Sequence, residues 1–180
     1  MSPDDAARTR SPGRSNEADP VAQNTYKCKL STMEAAILAT DRRFSGASVA
    51  AFELCPKLTD EALNDLFSES WPGHQSRSFA PVLSQSLLWV GAFLDRRLVG
   101  FVNVAGDRGI HTFILDTTVH PDHRRTGLGL RLLGFAAPEA KARGAQWPHV
   151  DYERLLEGFY AGCGFSPTSA GLMNLSQGTV

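Results

Sequence analysis

Val119-His120-Pro121-Asp122-His123-Arg124-Arg125-Thr126-Gly127-Leu128-Gly129 is the stretch whose reading decides the fold. It follows an apolar run, Phe113 to Val119, and precedes a Leu-rich segment, Leu128 to Ala137. That order predicts a strand, a tight turn and a glycine-rich entry into a helix. The first turn of a helix leaves its backbone N–H groups without intrahelical partners, and the helix dipole is positive there. A strand feeding such a turn is therefore suited to receive phosphate.

Upstream, His111 to Val119 reads as the strand that leads into this turn, after the polar turn Gly106-Asp107-Arg108-Gly109. Leu87 to Leu94 and Leu98 to Ala105 flank Asp95-Arg96-Arg97 and predict a hairpin. Thr59 fits the cap of a helix with Asp60 and Glu61 in its first turn and a buried stripe of Ala62, Leu63, Leu66 and Phe67. Trp71-Pro72-Gly73 ends that helix, and residues 72–86 are irregular with a helical turn near Val82. Ser48 to Leu54 reads as a strand, and Ser31 with Glu34 as a capping box opening a helix to about Arg42. Downstream, Thr126 to about Arg143 is a helix with Leu128, Leu132, Phe135 and Ala136 on one face, kinked or split by Pro138 and stopped by Gly144. Trp147 to Asp151 is a short strand, Glu153 to Ala161 a helix, and Leu172 to Leu175 a last extended segment. Helices and strands alternating around a central hairpin imply a mixed α/β sheet with helices on both faces.

Composition narrows the class. At 180 residues the chain suits one domain with a disordered end, and 42% hydrophobic residues supply a core. Residues 1–26 are polar, rich in Ser, Pro, Asp and Arg, and read as a disordered tail, with 27–180 as the domain. Deleting residues 1–25 is expected to leave thermal stability and ligand binding unchanged; a large loss in a melting experiment would make the tail part of the domain. A net charge of -1 argues against nucleic acid and anionic membranes as partners. No apolar run approaches the ~20 residues that span a bilayer. Cys28, Cys55 and Cys163 are odd in number and far apart, which suggests neither a disulfide framework nor a metal site, and a reduced, cytoplasmic setting is the simplest reading.

The pattern Val119-x-Pro121-x-x-Arg124-x-x-Gly127-x-Gly129 resembles the acyl-CoA-binding motif of the GNAT family of N-acetyltransferases, which lies between a central strand and a long helix. Phe159-Tyr160-Ala161-Gly162-Cys163-Gly164-Phe165 resembles that family's later Phe-Tyr-x-x-x-Gly-Phe motif, one helix and one strand further on. The resemblance covers about residues 48–177. A Rossmann loop would need Gly-x-Gly-x-x-Gly, and a P-loop its lysine; both are missing.

What the resemblance implies is a GNAT acyltransferase fold, a mixed and mostly antiparallel sheet splayed at the cofactor site, and acetyl-CoA as cosubstrate with no metal. Gly127 and Gly129 would let the backbone approach a pyrophosphate without a Cβ in the way. The N–H groups of Arg125, Gly127, Gly129 and Leu130 are the expected donors, within a turn that also contains Thr126 and Leu128. Arg124 is partly a structural arginine and partly a source of positive potential. Thr118 and Val119 correspond to the positions that lend backbone groups to the pantetheine arm.

The implied reaction moves an acetyl group from a thioester to a primary amine by direct attack. A lysine-like ammonium costs roughly 4–5 kcal/mol to deprotonate at pH 7, an α-amino group only about 1 kcal/mol. Tyr160, by resemblance, stabilises or protonates the departing thiolate. A phenol is a weaker acid than a thiol, so full transfer in water runs uphill by roughly 2 kcal/mol, and hydrogen-bond donation matters as much. Asp116 lies on the strand entering the cofactor site and is either the base or a buried structural carboxylate. His111, His120 and His149 are further candidates for the base, with His120 expected to be solvated. Asp151 and Glu153 either attract a cationic amine or cap the next helix, and Glu153 departs from the Asn found in many members. Trp71, His74 and Phe79 fall in the segment that often shapes the acceptor pocket.

The leading function is thus an N-acetyltransferase acting on a small-molecule amine, as a monomer or homodimer. A GNAT-like module that binds acyl-CoA without catalysis, and an acetyltransferase for protein N-termini or lysines, are the alternatives.

Overall fold

The computed structural model describes residues 50–176. The expectations for the tail, for Cys28, for the Ser31 capping box with its helix and for the first residues of the Ser48–Leu54 strand lie outside the described residues. The elements run β1 Ala51–Leu54, α1 Asp60–Ser70, α2 Ala80–Gln85, β2 Ser86–Leu94, β3 Arg97–Gly106, β4 His111–Val119, a 3₁₀ turn Pro121–His123, α3 Leu128–Ala142, β5 Trp147–Val150, a 3₁₀ turn Arg154–Leu156, and α4 Glu157–Gly162.

Thr59 caps α1 as its sequence demands, its hydroxyl accepting from the Ala62 N–H at 3.1 Å. Asp95 and Arg96 both adopt positive φ in the β2–β3 turn, the conformation that matches the twist of a two-residue hairpin. The sheet has the order β1-β2-β3-β4-β5. The first four strands pair antiparallel, and β5 pairs parallel to β4. Alternation along β2 and β3 divides two cores. Leu88, Val90, Val102, Val104 and Ile114 pack with Leu128, Leu132, Leu133 and Ala136 of α3. Phe101 and Leu98 pack with Leu63, Leu66 and Phe67 of α1 on the other face. Gly100 makes the α3 side possible, because a Cβ there would lie 2.6 Å from Leu128 Cδ2.

Three expectations need correction. Of the two outcomes expected at Pro138, the split does not occur, and α3 runs unbroken from Leu128 to Ala142. Pro138 and Gly134 both lie on the exposed side, so the carbonyl freed by the missing N–H is open to water while Ala136 and Ala140 stay packed on the sheet. The helix expected over 153–161 starts as a 3₁₀ turn and becomes α-helical only from Glu157, because Glu153 makes no side-chain cap bond. Leu172–Leu175 forms no strand, and Leu172, Met173 and Leu175 are exposed. Among the described residues these four have no paired neighbour, and so gain neither ladder hydrogen bonds nor burial to offset their ordering. At the end of α3, Gly144 adopts φ +97, and the bonds Ala145 N–H to Ala140 C=O and Gly144 N–H to Lys141 C=O close a Schellman motif.

A candidate donor and acceptor site around β4

Two irregularities of β4 create the site. Phe101 pairs with Thr118 and Asn103 with Leu115, so Val102 alone faces both Asp116 and Thr117. This is a β-bulge, and Asp116 takes φ +53 within it. Aspartate tolerates that region better than most residues, at a cost of about 1 kcal/mol or more. The bulge also turns consecutive side chains to different neighbours: Asp116 lines a cleft beside α1, while the Thr117 hydroxyl approaches Tyr160. The second irregularity is the early end of β5. Its pairing with β4 runs from His111 opposite Trp147 to Ile114 opposite Val150. Among the described residues β4 has no strand partner on that side from Leu115 onward, and the two strands splay.

Beyond the splay lies the turn that opens α3. Pro121–His123 forms a 3₁₀ turn, Arg125 adopts φ +60, and Gly127 caps the helix at φ +82. The first bond closed at this end of α3 runs from the Arg131 N–H to the Gly127 carbonyl at 3.0 Å. The N–H groups of Leu128, Gly129 and Leu130 precede it and are the orphan donors of the first turn. The two glycines serve different needs. Nothing lies within 4 Å of a Cβ at Gly127, where the positive φ is the constraint. At Gly129 a Cβ would meet the Phe159 ring at 3.2 Å and Val119 Cγ2 at 3.6 Å. Gly129 therefore makes room for α4, which the sequence reading, aimed at a phosphate, had not supplied as its reason.

Arg124 acts as a brace. Its Nε donates to the Val119 carbonyl at 3.1 Å, and its guanidinium also donates to the Ser70 carbonyl at 3.0 Å, tying the end of α1 to the end of β4. The Val119 carbonyl is therefore already engaged. Thr118 is buried; its hydroxyl accepts from the Trp71 indole N–H at 2.9 Å and donates to the Asp116 carbonyl at 2.9 Å. Thr126 donates to the His123 carbonyl at 2.7 Å, which tightens the turn. Leu128 is buried against the sheet, and Leu130 is exposed.

Tyr160 is 5% exposed and packs between Tyr152, Phe159 and Phe165. Burial pushes its phenol above the usual value. The Thr117 hydroxyl partly offsets that rise, although the contact falls short of a formed hydrogen bond and Thr117 Oγ1 is otherwise buried without a partner. Burial also raises the Asp116 carboxyl, with the Arg77 guanidinium pulling the other way.

The cleft that Asp116 lines has a volume of about 520 Å³ and includes Phe67, Trp71, His74 and Arg77. Its outer wall, residues 72–79, is held by Asn64, a residue the sequence reading missed. The Asn64 amide donates to the carbonyls of Asp60 at 2.7 Å and Arg77 at 2.9 Å. Its oxygen accepts from the Arg77 N–H at 3.0 Å and meets His74 Nε2 at 2.9 Å. All four hydrogen-bonding positions of the amide are thus used. Because that oxygen only accepts, the network assigns the His74 proton to Nε2. Asp60 adds a bond from the Phe79 N–H at 2.8 Å, which holds the Asp60 carboxyl below its usual value. No local pattern marks Asn64 in the sequence, since its partners lie on a loop without regular structure.

The remaining candidates separate. Trp71 and His74 line the cleft, whereas Phe79 is a core residue beside Phe67 and Phe101. His120 is 5% exposed rather than solvated; its ring contacts Arg97 at 3.3 Å and accepts from the Asp122 N–H at 3.3 Å. Its place under the hairpin end explains the burial. His111 and His149 bond to each other at 2.8 Å across the paired end of β4 and β5, away from the splay. Asp151 and Glu153 are exposed, and Glu153 makes no cap bond. Among the described residues no group of three or more His, Cys, Asp and Glu could hold a metal, and no helix is long and apolar enough to cross a membrane.

Comparison with known proteins bears on the fold and the family. The model of the acetyltransferase (GNAT) family matches residues 59–165. An uncharacterized N-acetyltransferase, ycf52-like, from Prochlorococcus marinus is 32% identical over 85 residues, 45% of this chain and 47% of that protein. The match thus spans about half the length of that curated relative. Among solved structures, a GNAT-family acetyltransferase from Streptococcus pneumoniae aligns with a TM-score of 0.60 at 23% identity, covering 70% of this chain and 98% of its own. An aminoglycoside N-acetyltransferase in complex with CoA aligns with a TM-score of 0.60 at 16% identity, covering 73% and 97%. At these identities the solved structures speak for the fold.

Proposed function

Because the chain belongs to the acetyltransferase (GNAT) family, whose model spans residues 59–165, we propose that it transfers an acetyl group from acetyl-CoA to a primary amine of a small molecule. One observation carries this reading: a helix start with orphan N–H groups stands next to a strand edge left open beside a buried phenol. Acetyl-CoA supplies the activated thioester, and the residues present fit it. The N–H groups of Leu128, Gly129 and Leu130 suit phosphate oxygens at the positive end of α3, and Arg125, Thr126 and Gly127 shape the turn that presents them. Since the Val119 carbonyl is engaged by Arg124, the unpaired flank from Leu115 to Thr118 is the part of β4 suited to an amide-bearing arm.

Tyr160 is the proposed donor to the leaving sulfur. Its raised pKa keeps the phenol protonated, as a donor requires, and makes complete proton transfer still less favourable. Hydrogen-bond stabilisation of the developing thiolate is therefore its role. Asp116 is the proposed acceptor of the amine proton. Desolvation makes its carboxylate a stronger base than an exposed one, which reduces the roughly 4–5 kcal/mol needed to neutralise a lysine-like amine at pH 7.

Acetyl-CoA is expected to raise the melting temperature. A ligand at a hundredfold its Kd stabilises by about 2.7 kcal/mol, which corresponds to a rise of roughly 5–10 °C for a chain of this size. Absence of both binding heat and a thermal rise at millimolar acetyl-CoA would overturn the proposal. Release of free thiol across a panel of amines tests the transfer itself.

A further inference from the structure

Two charges of opposite sign line the cleft beside α1. Asp116 sits on the β4 bulge, and Arg77 lies on the loop opposite. The Arg77 guanidinium is held in a defined place: its carbon lies 4.8 Å from the centroid of the Phe79 ring, which is itself buried against Phe67. Its backbone is gripped at both the N–H and the carbonyl by Asn64. Among the described residues, however, the guanidinium makes no ion pair within 4 Å and no side-chain hydrogen bond. At longer range it attracts the Asp116 carboxylate.

A planar cation fixed by stacking and by its backbone, yet with its N–H fork unused, is arranged to receive a planar or tetrahedral anion in two-point fashion. Asp116 in the same cleft suits a cationic or neutral amine. A simple hydrophobic amine would leave Arg77 unanswered, and an amine with several cationic groups would be repelled by it.

We propose that the acceptor is a small amine that also carries an anionic group, a carboxylate or a phosphate, with Arg77 receiving the anion while the amine faces Asp116. This rests on the acceptor reading of the cleft and narrows it. Arg77 is a specificity residue. Asn64 is a positioning residue that acts through the loop it clamps.

The test compares kcat/KM for matched acceptors that differ only in the anion: an α-amino acid against its amide, and a phosphomonoester amine against the parent amino alcohol. The charged member of at least one pair is expected to be favoured by tenfold or more, and which pair it is distinguishes carboxylate from phosphate. In Arg77→Gln the ratio for that pair should fall towards one, and in Arg77→Lys, which keeps the charge and loses the fork, to an intermediate value. Lys141→Gln, at the far end of α3, should leave the ratio unaltered. Asn64→Ala should lower the same ratio with little change in acetyl-CoA affinity. Neutral members used as well as charged ones, or a preference that survives Arg77→Gln in protein with an unchanged melting temperature, would overturn the inference while leaving acetyl transfer standing. Thiol release with none of the amines, in protein that binds acetyl-CoA, would instead overturn the acceptor reading and this inference with it.

Discussion

Tyr160→Phe is expected to lower kcat by about a hundredfold, in the range of removing one donor aimed at developing negative charge. The ring keeps its place. Tyr152 stacks on it at 4.8 Å, and Phe159 and Phe165 meet it edge-on. Among the described residues the hydroxyl has an incomplete contact with Thr117, so its removal should change folding stability by no more than about 1 kcal/mol. Acetyl-CoA affinity should stay within about twofold, since the anchoring groups proposed for the cofactor lie on the α3 turn. Unchanged kcat in the variant would remove Tyr160 from the mechanism. A large loss of affinity with kcat intact would make it a binding residue instead.

Gly129→Val is expected to damage both stability and turnover. The new Cβ would stand 3.2 Å from two atoms of the Phe159 ring and 3.6 Å from Val119 Cγ2, and the branched methyls reach further. Overpacking of this kind costs about 1–3 kcal/mol, which lowers the melting temperature by roughly 2–12 °C. The ring that must yield meets Tyr160 edge-on with centroids 4.8 Å apart, so its shift is passed to the phenol. Turnover should fall by more than tenfold even below the melting transition. Gly127→Ala provides the contrast. A Cβ there meets nothing within 4 Å, and the penalty is the positive φ alone, about 1 kcal/mol. Equal melting temperatures for Gly129→Val and wild type would contradict the packing of α4 on the start of α3.

The fold was legible wherever a residue's effect is local. The Thr59 cap, the polar turn expected over Asp95-Arg96-Arg97 and the Gly144 stop are all local features, and the structure contains the cap and the stop and narrows the turn to Asp95-Arg96. The misreadings share one cause. A split at Pro138 follows the local rule, but the exposed side of α3 tolerates the lost hydrogen bond and the helix stays continuous. Leu172–Leu175 reads as an extended segment and has no strand to pair with among the described residues. His120 looked like a surface residue beside a proline and is buried under the hairpin end.

The two halves of the site divide in the same way. The turn from Val119 to Gly129 could be read from sequence because an orphan N–H array needs only a strand end, two glycines and a helix start, all contiguous. The cleft proposed for the acceptor could not. Its walls meet only because a bulge turns Asp116 towards α1 and because Asn64 fastens Arg77 and His74 to that helix. A bulge is a mismatch of register between two strands, and a clamp is a bond between a helix and a loop. Both are contacts between distant parts of the chain, and no pattern of neighbouring residues encodes them. The sequence by itself determined the family and the turn proposed for the donor; the tertiary structure alone decided which charges line the cleft proposed for the acceptor.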